Sequence, residues 1–309
     1  MKPLFVISIA VLSGCLGNWS NEDLEFASAL PLKSELQSKL PTTAAQPLSG
    51  EGTRRDPLGI GEASQSYLDA KKASSDFNAL LDGLLSIVEA VRNLAPTTRE
   101  DNARTWGPFP DDKNPGYEVE LIITRADATN FTWAIKYRQR QPQGEWFDVV
   151  TGTFVSSGGI RKGKGTVVIL IAENAAKLKT LQAFGPIARI TTAYVTDEDP
   201  ITVGMQFAFS SNDAGYSELG YGYRENGDKA GKINFGLRTT DPNVLLLNTT
   251  AGWLPDGAGQ ATANVAEGAY TGASAIECWD SQFKTVYAFA NWPGGVNIGS
   301  AANCVTLPF

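Results

Sequence analysis

Phe131-Thr132-Trp133-Ala134-Ile135-Lys136-Tyr137-Arg138 alternates large apolar residues with small or polar ones at every second position. That period places one set of side chains on each face of a pleated strand, one buried and one wet. Just upstream, Val119, Leu121 and Ile123 alternate in the same way with Glu118, Glu120 and Thr124. Downstream, strand-like stretches recur at 146–155, 165–172, 188–196, 202–210, 217–224, 232–239, 244–249, 259–266, 273–279 and 283–292. About twelve short strands at this spacing predict antiparallel meanders rather than βαβ units. A sheet of that size tends to curl, so a barrel or half-barrel is expected. Glu225-Asn226-Gly227-Asp228 reads as a two-residue hairpin turn, and 174–182 as one short helix with Ala175, Ala176, Leu178 and Leu181 as its apolar positions. No internal repeat with a fixed period is evident.

One segment has a different period. From Glu62 to Leu94, Phe77, Leu80, Leu81, Leu84, Ile87, Val88, Val91 and Leu94 recur at steps of three and four, ahead of Pro96. These mark the apolar face of a helix. Lys71, Lys72, Asp76, Asp82, Glu89 and Arg92 lie on its other side, and their mixed sign suits a core-packing helix better than a cationic membrane-surface one. The fold class is therefore mainly β (α+β): a long N-terminal helix packed on a curled antiparallel meander over 61–309.

The start of the chain reads as an address. Lys2 precedes the uncharged apolar run Pro3–Leu12, which is too short to span a hydrocarbon core of roughly 30 Å. Residues 1–14 therefore read as a secretory signal. Its end, Leu12-Ser13-Gly14-Cys15, resembles the lipobox of bacterial lipoproteins. The resemblance implies cleavage before Cys15, lipidation of its thiol and a stable membrane anchor. Leu16 follows the cysteine where Asp would retain it at the inner membrane, so the implied location is the outer membrane. Residues 15–60 show no sustained period and read as a lipidated flexible tether. A docking segment through Leu24, Phe26, Leu30 and Leu32 is the alternative.

With Cys15 assigned to lipid, Cys278 and Cys304 remain, and in an oxidising compartment they are expected to form a disulfide. The net charge of −7 and the absence of clustered basic residues argue against nucleic acid. The chain contains 0 histidines, which removes the usual Ser-His-Asp and Cys-His nucleophile pairs and the histidine-containing zinc and iron sites. Gly158 to Gly165 nearly matches a phosphate-cradling loop, but Gly165 stands where a hydroxyl is needed and a strand follows where a helix should. Asp111-Asp112 and Asp197-Glu198-Asp199 read as solvated turn charge rather than a calcium loop. Asp213, Glu218, Glu225 and Asp228 supply carboxylates with no pattern specific to glycoside hydrolysis. No catalytic residue, metal ligand or cofactor is assigned.

The aromatic face remains. A helix followed by a curled meander resembles, in the order of its elements, the LolA/LolB-like lipoprotein-carrier half-barrels of bacterial envelopes. That resemblance implies a hydrophobic ligand in the curved sheet, lined by Trp133, Tyr137, Phe207, Tyr221, Tyr223 and Tyr287. Trp106, Trp253, Trp279 and Trp292 read as rim packing or as a binding mouth. The functional expectation is a non-catalytic envelope lipoprotein carrying a lipid or other amphiphile. The alternative is a structural or protein-interaction lipoprotein with a filled core.

Overall fold

The computed structural model describes residues 19–42, 59–91, 94–210, 216–292 and 294–308. Among the described residues, fifteen strands form an antiparallel meander whose spatial order is the order of the sequence. They are β1 Thr98–Glu100, β2 Ala103–Pro110, β3 Tyr117–Arg125, β4 Asn130–Gln139, β5 Phe147–Ser156, β6 Gly163–Leu170 and β7 Ile187–Val195. The series continues with β8 Ile201–Phe209, β9 Tyr216–Glu225, β10 Gly231–Thr239, β11 Leu246–Trp253, β12 Gly259–Glu267, β13 Ser274–Trp279, β14 Thr285–Ala290 and β15 Asn297–Gly299. The helices are α1 Asn21–Ala27, α2 Lys33–Leu36, α3 Gln65–Val91 and α4 Lys179–Gln182.

The twelve expected strands are thus joined by β1, β2 and β15. Two of these have only 3 residues, too few to show a period, and β2 is interrupted by a register shift between Trp106 and Phe109. The sheet is not closed, which corrects the barrel half of the barrel-or-half-barrel expectation: its order ends at β1 and β15. Edge strands this short leave little ladder to pair with anything else. The Asn226-Gly227 turn also differs from expectation. Glu225 pairs with Gly231 across five intervening residues, and Lys229, not a glycine, takes the positive φ of 75°. Asn226 N–H donates to Ala230 O and Lys229 N–H to Asn226 O, both at 2.9 Å. Within 174–182 only Lys179–Gln182 is helical.

The chain divides into two compact units, one of Met1–Gln37 with Asn78–Glu198 and the other of Ser38–Phe77 with Asp199–Phe309. In the first, β4 buries Phe131, Trp133, Ile135 and Tyr137, as its alternation predicts. Leu81, Leu85 and Val88 of α3 are buried as well. In the second, Tyr67 and Ala70 of α3 share a cluster with Ala251, Ala261, Trp279 and Phe283. Tyr67 stacks on Phe283 with ring centres 4.1 Å apart. The side chains of Leu80, Leu84, Ile87 and Val91 lie outside the described residues.

A buried carboxylate fixes the start of α3. Glu277, 4% exposed, accepts from the Gln65 and Ser66 amides at 3.1 and 2.8 Å and from Thr285 Oγ1 at 2.7 Å. The first amides of a helix lack intrahelical partners and carry partial positive charge, so an anion there is favourable.

Glycines under aromatic rings recur across the ladders. In the first unit Trp133 faces Gly152 and Tyr194 faces Gly165. In the second, Trp253 faces Gly231 and Trp279 faces Gly259. Each ring lies over its partner's Cα, so a Cβ at Gly152 or Gly165 would meet ring atoms at 2.1 or 2.2 Å. The rings keep their polar handles satisfied in the second unit: Trp253 Nε1 donates to Lys229 O at 3.2 Å and Trp279 Nε1 to Gly257 O at 3.0 Å.

Cys278 and Cys304 form a disulfide across 26 residues with Cα atoms 5.4 Å apart. It ties β13 to the carboxy-terminal tail. The loop-entropy model assigns such a closure about 3 kcal/mol. The double variant Cys278→Ala/Cys304→Ala is expected to lose that much in urea unfolding, and an unchanged midpoint would refute the assignment.

Candidate functional site

Of the six aromatic residues expected to line a ligand groove, five (Trp133, Tyr137, Phe207, Tyr221 and Tyr223) are buried core residues, divided between the two units. Trp133 and Tyr137 are 2% and 4% exposed. Tyr137 packs on Phe147 with ring centres 6.4 Å apart; burial, and then the neighbouring Asp111 carboxylate, push its hydroxyl far above the usual tyrosine range. In the second unit Tyr221 stacks on Phe77 of α3 at 3.7 Å and meets Phe235 edge-on at 5.5 Å. Tyr223 donates to Glu225 Oε2 and accepts from the Lys39 amide at 3.0 Å. Phe207, Tyr221 and Tyr223 lie on the adjacent strands β8 and β9. Tyr287 is half-buried on β14, paired with Cys278. Trp106, Trp253 and Trp279 are buried and Trp292 is 38% exposed.

The largest departure from expectation lies near the amino terminus. Residues 19–42, read as tether, are packed: Phe26, Leu30 and Leu36 are at most 1% exposed. Ser20 and Asp23 form a reciprocal capping box on α1. Asp23, wholly buried, is held by Arg104 Nε at 2.8 Å and Arg99 at 3.1 Å. Glu22 binds Arg104 at 2.7 Å and Arg125 at 2.8 Å, and Glu25 reaches Arg125 at 3.4 Å. Phe26 lies edge-on to Phe131 at 5.8 Å, with the Arg104 and Arg125 guanidinium groups 4.6 and 4.9 Å from its ring centre. The segment continues along the first unit through Lys33–Asp82 at 2.7 Å and Arg161–Glu35 at 3.0 Å. From Ser38 it belongs to the second unit, where Tyr67 Oη donates to Pro41 O at 2.6 Å.

Burial alone would raise the Asp23 carboxyl, but the Ser20 amide, Arg104 and Arg99 override it and hold it at about 2. A carboxyl depressed on folding stabilises the folded state above its unfolded pKa of about 3.9, and loses that contribution as the pH falls toward 2. The depression corresponds to about 2 kcal/mol. Urea unfolding at neutral pH and near pH 2 should therefore show a smaller acid-induced loss for Asp23→Asn than for the wild type. Equal losses would show that the cluster does not bind the carboxylate preferentially.

Elsewhere the unassigned motifs are structural. The glycine-rich stretch closes the β5–β6 hairpin, with Ser157 N–H donating to Lys162 O at 2.9 Å. Asp111 caps its own turn through the Lys113 amide at 2.9 Å. Glu198 pairs with Lys164 at 2.9 Å, and Asp199 accepts from the Gly227 amide at 2.9 Å. Glu225 is buried and bonded to Tyr223 and Lys229, whereas Asp213 lies outside the described residues. Among the described residues no group of three or more His, Cys, Asp or Glu is placed to hold a metal ion. A concavity of about 600 Å³, open to solvent, is lined by Glu100, Asp101, Asn102, Thr105, Ile122 and Thr124 and by none of the aromatic residues named above. Cys15 lies outside the described residues, and none of the described helices is long and apolar enough to cross a membrane. Comparison with protein-family models, curated proteins and solved structures found no match.

Proposed function

We propose that this chain is a non-catalytic lipoprotein of a bacterial envelope, anchored in the outer membrane through a lipid on Cys15. Its folded units have filled cores, and their outer faces and loops engage a protein partner. The observation that carries the anchor is the signal-like run ending in Leu12-Ser13-Gly14-Cys15. The filled cores rest on the aromatic residues: Tyr221 is stacked on Phe77 and Trp133 packs directly over Gly152. Metabolic labelling with a palmitate analogue tests the anchor. Wild type is expected to carry the label and fractionate with membranes, and Cys15→Ser to lose both. Label or membrane association unaffected by Cys15→Ser overturns it.

One observation favours a second reading, a carrier of an amphiphile. Trp133 Nε1 and the Tyr194 hydroxyl are buried in the first unit with no hydrogen-bond partner, and two unmet donors are costly unless something polar reaches them. Native mass spectrometry of the purified soluble part distinguishes the readings: a bound lipid supports the carrier, and a bare mass supports the filled core.

A further inference from the structure

We infer that the α1 end of the first unit rests on the bilayer, with Leu24 in contact with its interface, rather than hanging from it on a long leash. The inference rests on the proposed lipidation of Cys15. Packing begins at Ser20, whose side chain caps α1. Five residues, fully extended, span at most about 18 Å. The capping box, the buried Asp23–Arg104 pair and Phe26 then hold α1 on the first unit. An acylated Cys15 must lie at the lipid surface, so this end of the unit cannot stand far from it.

The chemistry of the exposed face suits a neutral membrane. Leu24 is 53% exposed although Phe26 and Ala27, on the same helix, are buried. The acids on α1 are matched: Glu22 with Arg104 and Arg125, Glu25 with Arg125, and Asp23 with Arg99 and Arg104. The acids of α1 are paired, and Glu100 and Asp101 beside Arg104 and Arg125 add negative charge at this end. An anionic surface would repel it, whereas contact with a neutral one comes from the anchor and an apolar side chain and should be insensitive to salt. The partner that fits this end is therefore a zwitterionic lipid surface. The far end of β3 supplies a reference position. Arg125 marks the α1 end of that strand, and Asp112 lies beyond Tyr117, about 26 Å along it.

The test uses the full lipidated protein in phosphatidylcholine vesicles containing head-group spin-labelled lipid. A fluorophore is placed at Leu24→Cys or Asp112→Cys. The added thiol is then the reactive one, because Cys15 is acylated and Cys278 and Cys304 are paired. Quenching several-fold stronger at position 24 than at 112, unchanged by salt, is expected. Equal quenching, or none at 24, on protein whose amino-terminal peptide carries lipid overturns this inference and leaves the anchor standing. A peptide without lipid overturns the anchor, and this inference with it.

Discussion

Asp23→Ala is expected to destabilise the first unit by about 3–5 kcal/mol, because it leaves a buried guanidinium without its buried partner. Arg104 is 4% exposed. Its Nε donates to Asp23, and its remaining anion is Glu22, whose side chain is 46% exposed. The same substitution removes half of a capping box, which by itself is worth about 1 kcal/mol. Phe26 would lose part of its seat as well, since Asp23 orients Arg104, one of the two guanidinium groups over its ring. Asp23→Asn separates these contributions: it keeps a side-chain acceptor for the cap and removes the charge, so it should fall between Ala and wild type. The measurement is the urea midpoint together with protease sensitivity around 19–37. A wild-type midpoint for Asp23→Ala, with the segment still resistant to protease, would show that the ion cluster does not hold the segment.

Gly152→Val is the second large effect, expected to exceed about 3 kcal/mol as an overpacking substitution in a site with no slack. The added Cβ would lie 2.1 Å from Trp133 Cε2, and Trp133 is only 2% exposed. Neither neighbour yields easily, because Gly152 is hydrogen-bonded into ladders with both β4 and β6. The control is the pair: in a Trp133→Ala background the same valine should be nearly neutral, giving a strong coupling in a double-mutant cycle. Additive effects of the two substitutions would mean that the clash lies elsewhere.

The strands were legible because burial follows their period: Phe131, Trp133, Ile135 and Tyr137 are buried in turn. The helix face was legible for the same reason, as Phe77, Leu81 and Val88 show. The glycine–aromatic pairs were not, because whether Gly152 faces Trp133 depends on a register that neither strand carries alone. Asp23 was half legible. Ser20-x-x-Asp23 ahead of Leu24 and Phe26 is a helix-start signature, which the reading of 15–60 as a tether passed over. Its partner Arg104 lies 81 positions away, and no local pattern announces a pairing at that distance. The ligand-lining expectation took aromatic character on a strand as a sign of a groove, whereas Trp133, Tyr137, Phe207, Tyr221 and Tyr223 are buried.

The order of the meander bears on how the protein is made. Each strand pairs with its neighbours in sequence, so a hairpin can form as soon as its second strand is free, and the sheet grows by addition at one edge. Contacts of this local kind favour fast folding over a search among distant partners. The start of α3, which depends on Glu277 and Phe283, is one exception, and the segment 20–41 is another. It lies first in the chain, yet Asp23 requires Arg99 and Arg104 of later strands, and Lys39 requires Tyr223. Phe26 and Leu30 must therefore wait, uncovered, until strands far downstream have formed. The interval before α1 docks is when this protein is most open to a chaperone or a protease.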